Sequence, residues 1–189
     1  MMKPSQIGDD HEYTAFEQRC LDRVQWFLNT NCAYGTVQST KTRTLGFMVH
    51  DSPVAMLAWM SDKLFLWTDN YPWTPTEIIT WTLLHYFPGP TTSFVMYREL
   101  PGQLELDHYA NHYVKIPSGV SAFPKELMMV PRCWAETTMN VVWWRDHPEG
   151  GGHFAAYEKP EALTRDMIEF YKSVQQGKES CLTLRMKGG

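Results

Sequence analysis

The chain has 189 residues, enough for one domain or one domain with a cap, and 43% of them are hydrophobic, which excludes extensive disorder. Its net charge of −4, without a basic run, argues against nucleic acid or an anionic membrane as the main partner. No segment has the pattern of a signal peptide or a membrane span, and the four cysteines show no C-x-x-C spacing. A cytoplasmic protein with reduced thiols is therefore expected, and a Cys20–Cys32 disulfide is the less favoured alternative.

The first half of the chain has the periodicity of helices. Apolar residues at helical spacing predict an amphipathic helix over residues 12–29. The next segment, "NTNCAYGTVQSTKTRT" (29–44), is rich in hydroxyl groups and contains Gly35, so it is predicted to be a loop. Ser52 is a good helix cap and Pro53 suits the first turn, so a second helix should begin there. The apolar face of that helix is predicted to comprise Val54, Leu57, Met60, Leu64 and Trp67.

Two more helices should follow in this half. Thr74 and Glu77 have the spacing of a capping box, in which each side chain satisfies a backbone amide of the other residue. They are predicted to start a third helix, which "PGP" at 88–90 would stop. A fourth helical piece is expected through "TSFVMYREL" (92–100).

The second half alternates between strand and helix patterns. Two short β-rich runs, "YVKIP" (113–117) and "NVVWWRD" (140–146), flank a predicted helix over 125–136. A last amphipathic helix should start at Pro160 and end at Gly177. Strand, helix, strand and helix in this order predict parallel α/β units.

The predicted organisation is a helical cap (1–105), an α/β part (106–177) and a loose tail (178–189). Two parallel strands alone would leave unpaired amides and carbonyls along both outer edges. The sequence therefore predicts that the chain pairs with a complementary region or self-associates.

Two side chains in the α/β part are candidates for chemistry. Glu126 follows the first strand run, and His153 follows the second, directly after three glycines. Neighbouring parallel strands would bring these two loops side by side, and a carboxylate beside an imidazole makes a general base. The residue pattern alone leaves open that His153 is a structural histidine in a glycine-rich turn.

Several stretches together resemble a known family. They are "AYGTVQSTKTRTLGF", "DSPVAMLAWMSDKLFLWTD", "FPGPTTSFVMYREL", "IPSGVSAFPKEL" and "GGGHFAAYEKPEAL". In order and spacing they resemble the C-terminal half of the α/β-hydrolase-fold epoxide hydrolases, in the microsomal and fungal branch. The resemblance covers roughly residues 12–172 and implies an α/β class chain, with a helical cap followed by part of the α/β-hydrolase fold.

The resemblance also implies roles for four residues. In that family an aspartate opens the epoxide to form an ester, and a histidine–carboxylate pair then activates water to hydrolyse it. His153 and Glu126 match that pair, and Tyr34 and Tyr97 match the two tyrosines that donate hydrogen bonds to the epoxide oxygen. No cofactor or metal is expected, because the pair His108 and His112 has no third ligand nearby in the sequence.

The family's nucleophile motif does not occur in the chain. The 189 residues contain no G-x-D-x-G, no G-x-S-x-G and no His-Gly dipeptide, so no nucleophile is assigned. The expectation is an epoxide hydrolase-like protein that converts an apolar epoxide into a vicinal diol. Three explanations are consistent with an epoxide hydrolase-like chain that has no nucleophile motif. Either the sequence is truncated, with the aspartate upstream; or a separate N-terminal half complements it in trans; or the chain acts alone with weak activity. The alternative is a non-catalytic protein that binds an apolar small molecule.

Overall fold

The computed structural model of the chain describes residues 3–99 and 112–186. The predicted boundary between a helical part and an α/β part, at residues 105 and 106, falls outside these ranges, as does His108. The described thiols of Cys20, Cys32 and Cys133 are free, so the alternative disulfide is absent. Among the described residues, no helix is both long enough and apolar enough to cross a membrane.

The first described range is helical, and three of its six helices start at side-chain capping signals in the sequence. Ser52 Oγ accepts a hydrogen bond from the amide of Ala55 at 3.2 Å, and Thr74 and Glu77 form the predicted capping box. A second capping box, between Thr14 and Glu17, begins the first helix. The helices of this range are α1 (Ala15–Thr30), α2 (Ala33–Thr40), α3 (Thr42–Asp51), α4 (Pro53–Trp67), α5 (Pro75–Tyr86) and α6 (Pro90–Arg98).

The prediction of a loop over 29–44 is wrong, because α2 and the start of α3 occupy this segment. Its hydroxyl groups do not compete with the helices. Those of Thr40 and Thr42 donate to the carbonyls of Thr36 and Gln38, one turn earlier, at 2.6 and 2.5 Å. Packing against α6 stabilises the two helices, which the local sequence does not indicate.

The core-facing side of α4 differs from the prediction at one end. Met60, Leu64 and Trp67 are buried as expected, but Val54 is 72% exposed. Met56, 1% exposed, takes its place because the helix buries positions four residues apart. The first core cluster combines α3, α4 and α6, through Leu45, Val49, Met56, Met60 and Phe94.

The second described range contains the predicted parallel pair of strands. Its elements are β1 (Val114–Ala122), α7 (Arg132–Ala135), β2 (Met139–Asp146), α8 (Ala155–Glu158) and α9 (Pro160–Met186). Within the described residues, β1 and β2 form a two-stranded parallel sheet. Helix α9 covers it closely, since a Cβ at Gly119 in β1 would lie 2.6 Å from the Phe170 ring.

Two helix predictions in this range need correction. The helix expected over 125–136 is reduced to Arg132–Ala135, because Pro131 can only start a helix and Glu126 holds the preceding turn through the amide of Leu127. The last helix continues past Gly177 to Met186. A glycine inside a helix costs only about 1 kcal/mol relative to alanine, so it need not end one.

Candidate active site

The structure brings His153 and Glu126 together at the carboxyl ends of the two strands. His153 Nδ1 lies 2.8 Å from Glu126 Oε1. Parallel pairing continues beyond the strands into these loops, because Lys125 bridges to Gly152 and its amide donates to the carbonyl of Gly151 at 3.0 Å. The sheet register therefore sets the distance between the carboxylate of Glu126 and the imidazole of His153.

Glu126 is placed to remain ionised. Burial by itself would raise the pKa of Glu126, but the hydrogen bond and charge of His153 and the amides of Leu127 and Met128 outweigh it, so the pKa is lowered. An ionised carboxylate accepts the Nδ1 proton of the imidazole, which leaves the Nε2 lone pair free to accept a proton. This is the arrangement of a general base.

The three glycines before His153 serve two different purposes. Gly150 and Gly151 have φ values of 122° and 121°, a region that other residues rarely adopt. Gly152 allows a close approach, because a Cβ there would lie 2.5 Å from the carbonyl oxygen of Trp67. The amide of His153 donates to that same oxygen at 2.8 Å. The glycines therefore let the loop bind to the end of α4 and hold the imidazole in place.

Tyr34 and Tyr97 form a second pair, on α2 and α6. Their ring centroids are 5.7 Å apart at an interplanar angle of 75°. Burial, followed by the proximity of Tyr97 and a hydrogen bond to it, raises the pKa of Tyr34 to about 12. Trp67 lies between the two pairs, with its ring 5.0 Å from Tyr34 and 5.3 Å from His153. Tyr34 is therefore a protonated donor near neutral pH.

A cavity of about 240 Å³ lies beside the tyrosine pair. Helices α2, α4, α5 and α6 and the residue after His153 form its walls. Its aromatic lining includes Tyr34, Trp59, Trp67, Trp81, Phe94, Tyr97 and Phe154. The sequence does not indicate which of its aromatic residues line this cavity, because they come from four helices and a loop that are distant in the chain.

Asp69, just beyond α4, joins the loops that carry Glu126 and His153. Its Oδ1 lies 2.8 Å from Lys125 Nζ, and its Oδ2 accepts from the amide of Gly151 at 3.0 Å. Burial would raise the pKa of Asp69, but Lys125 and the Gly151 amide outweigh it and lower the pKa. Sequence reasoning missed this residue, because an acid after "LFLW" carries no signal of contact with loops distant in sequence.

Replacing Asp69 by alanine should loosen the contact between Glu126 and His153. The ion pair is partly exposed, so we expect a stability loss of only about 1–2 kcal/mol, mostly from the lost Gly151 hydrogen bond. The sharper readout is the proton resonance of His153 Nδ1–H, which should broaden as the two loops separate. The exposed Asp22 on α1 offers a control, since Asp22→Ala should leave that resonance unchanged. An unchanged His153 resonance in Asp69→Ala would contradict the bridging role.

Known proteins similar to this chain were identified by sequence and by structure. A putative epoxide hydrolase from Stigmatella aurantiaca (strain DW4/3-1) is 30% identical over 84% of the chain and 37% of the relative. One from Dothistroma septosporum is 32% identical over 86% of the chain and 38% of the relative. The solved Aspergillus niger epoxide hydrolase has 35% identity and a TM-score of 0.78, over 92% of this chain and 44% of that one. No family model matches the chain.

The fold and the site define a chain of the α/β-hydrolase class, of which the described residues form a helical part and a pair of parallel strands. More particularly, the chain is a homologue of the α/β-hydrolase-fold epoxide hydrolases and matches their C-terminal part. It spans about two fifths of the length of these relatives.

Proposed function

We propose that this chain carries the water-activating base and the epoxide-binding phenols of an epoxide hydrolase. The observation that carries the proposal is the His153–Glu126 pair, linked through Trp67 to the tyrosine pair beside an aromatic cavity. Similarity to epoxide hydrolases along most of the chain supports the same reaction class. The substrate class is an epoxide with largely apolar substituents, because aromatic and methionine side chains line most of the cavity.

Each residue has a defined part in the proposed chemistry. Tyr34 and Tyr97 donate hydrogen bonds to the epoxide oxygen and stabilise the negative charge that develops there as the carbon–oxygen bond breaks. His153 Nε2 takes a proton from water as the water oxygen attacks the carbonyl carbon of the ester formed by a carboxylate nucleophile, and Glu126 stabilises the resulting imidazolium. The ester bond to the alcohol oxygen then breaks, which frees the carboxylate, and the imidazolium returns its proton to that oxygen. The product is a vicinal diol.

Full activity on this proposal also needs a carboxylate nucleophile, supplied by a complementing N-terminal region. A buried donor beside the site supports such a partner. Trp67 Nε1 has no hydrogen-bond partner among the described residues, and an unsatisfied buried donor costs about 1–3 kcal/mol. A complementing region that offers an acceptor there would remove this cost and would also pair with the outer edges of β1 and β2, which have no neighbouring strand among the described residues. We further propose a cytoplasmic location and a role in detoxification or secondary metabolism.

The direct test is diol formation from trans-stilbene oxide in ¹⁸O-labelled water. It is run with the folded chain alone and with the unmatched N-terminal part of the Aspergillus niger enzyme added as a separate polypeptide. We expect slow turnover by the chain alone and faster turnover in the mixture, with ¹⁸O in the diol. If neither sample forms diol faster than buffer does, the proposed function is wrong.

The phenols can be tested in the same assay. Tyr34→Phe or Tyr97→Phe should lower kcat/KM by about 10²-fold, since each removes one hydrogen bond to the developing alkoxide. The double variant should lose more. Tyr171 is an exposed tyrosine on α9, so Tyr171→Phe is the matched control and should keep the rate. A double variant with unchanged kcat/KM would remove both phenols from the mechanism.

A further inference from the structure

The cavity beside the tyrosine pair contains a cation that the proposed reaction does not use. Lys63 on α4 lines the cavity, and its side chain is only 13% exposed. The ammonium lies 4.5 Å from the ring centroid of Trp59, 5.6 Å from that of Tyr34 and 5.8 Å from that of Trp67. The charge is thus held among the rings that would surround a substrate.

Within the described part of the chain, the contacts of Lys63 leave part of its hydrogen-bonding capacity unused. An ammonium group has three donors, and Asp62 Oδ2 accepts one at 2.5 Å. The neighbouring rings attract the charge but are weak acceptors. Placing an ammonium in an apolar cavity has a desolvation cost, which an oxygen acceptor within the cavity would offset.

We propose that the cavity selects epoxides that carry a carboxylate or carboxylic ester next to the oxirane, with Lys63 donating a hydrogen bond to the carbonyl oxygen. This inference rests on the proposed function, because it assumes that the phenols of Tyr34 and Tyr97 hold the epoxide oxygen. The ammonium lies 5.6 Å from the centroid of the Tyr34 ring, and both residues line the same cavity, so one small molecule bound there can contact Tyr34 and Lys63 together. A purely hydrocarbon epoxide would leave the donors of Lys63 facing apolar atoms.

The negative charge of Asp62 disfavours a ligand carboxylate beside Lys63, but it does not prevent one from binding. The Asp62 side chain is 49% exposed, so it can turn toward water while the more buried ammonium stays in the cavity. An ester oxygen needs no such movement, whereas a carboxylate gains from it. Both share the carbonyl-type acceptor, and the experiment compares them directly.

The test is a binding measurement, which does not depend on turnover. The probes are trans-3-phenylglycidate, its methyl ester, and trans-β-methylstyrene oxide, which replaces the carbonyl group by a methyl group. Binding is followed by the quenching of tryptophan fluorescence, because Trp59, Trp67 and Trp81 line the cavity. We expect at least one of the two carbonyl probes to bind about ten-fold more tightly than the hydrocarbon probe, for one added hydrogen bond to a charged donor.

Two variants and a control connect this preference to Lys63. Lys63→Met keeps the length of the side chain and removes the charge, so the preference should disappear. Lys63→Arg keeps the charge and should retain it, which separates loss of the donor from damage to the fold. Lys41→Met, at an exposed position after α2, should behave as the unchanged chain.

Three outcomes would overturn the inference: equal affinity for all the probes, a preference that persists in Lys63→Met, or no binding of any probe. Failure of the proposed function looks different. The chain could show a carbonyl preference that depends on Lys63 and yet form no diol, with or without the added N-terminal part. That result would support Lys63 as part of a binding site and would contradict the catalytic proposal.

Discussion

Replacing His153 by alanine should lower diol formation by about 10²–10⁴-fold, the usual contribution of a positioned general base. The alanine cannot accept the proton of the attacking water, and Glu126, which is bonded to Nδ1 at 2.8 Å, cannot reach the same position. Affinity for the diol should change little, because the cavity is lined by other side chains. The measurement is the initial rate of diol formation, with diol affinity determined by fluorescence quenching.

The same variant separates the catalytic proposal from its rival. A protein that only binds an apolar small molecule would keep its ligand affinity in His153→Ala and would show no turnover before or after the change. The exposed His50 on α3 is a matched control, so His50→Ala should keep both rate and affinity. Equal diol formation by His153→Ala and the unchanged chain would show that His153 is not the base.

Replacing Asp166 by alanine should destabilise the fold by about 1–3 kcal/mol, because the change leaves Nε2 of the buried His147 without its partner and removes a bond to the partly exposed Arg145. Asp166 on α9 is 0% exposed. Its Oδ1 accepts from Arg145 Nη1 at 2.7 Å, and its Oδ2 lies 2.5 Å from Nε2 of the buried His147. The measurement is urea unfolding, with Glu161→Ala, at an exposed position on the same helix, as the control.

The contribution of Asp166 should depend on pH in a defined direction. Burial would raise the pKa of Asp166, but hydrogen bonds from His147, Ser121 and Arg145 outweigh it and lower the pKa. A lowered pKa in the folded state stabilises the protein above the unfolded value of about 3.9, and this stability is lost as the pH falls through the folded value. The Asp166→Ala variant should therefore lose less stability in acid than the unchanged chain. An identical acid dependence in both would contradict the assignment.

The cluster of Asp166, His147 and Arg145 also contacts the glycine loop that carries His153, through Phe123. His147 stacks on Phe123 with ring centroids 4.3 Å apart, and Phe123 in turn lies so close to Gly151 that a Cβ there would be 2.5 Å from its ring. The cluster and Asp69 therefore hold the glycine loop from two sides. Neither was found from the sequence, because each depends on residues far apart in the chain.

The sequence by itself determined the features that depend on local chemistry. The caps at Ser52 and Thr74 satisfy amides within three residues, so helices α4 and α5 could be predicted from a few letters. The two β-rich runs and the helix between them indicated a parallel pair, and this placed Glu126 and His153 in neighbouring loops. The stretches shared with epoxide hydrolases indicated the same two residues.

The tertiary structure decided the features that depend on packing between distant segments. Helices α2 and α3 form where local composition favours a loop, because α6 packs against them and the hydroxyl groups bond within the helices. Lys63 faces the cavity because the phase of α4 is set by the core it buries. Asp69 joins two loops that the sequence separates widely. Local propensity amounts to at most about 1 kcal/mol for most residues, so the larger free energies of burial and of paired charges override it wherever the two conflict.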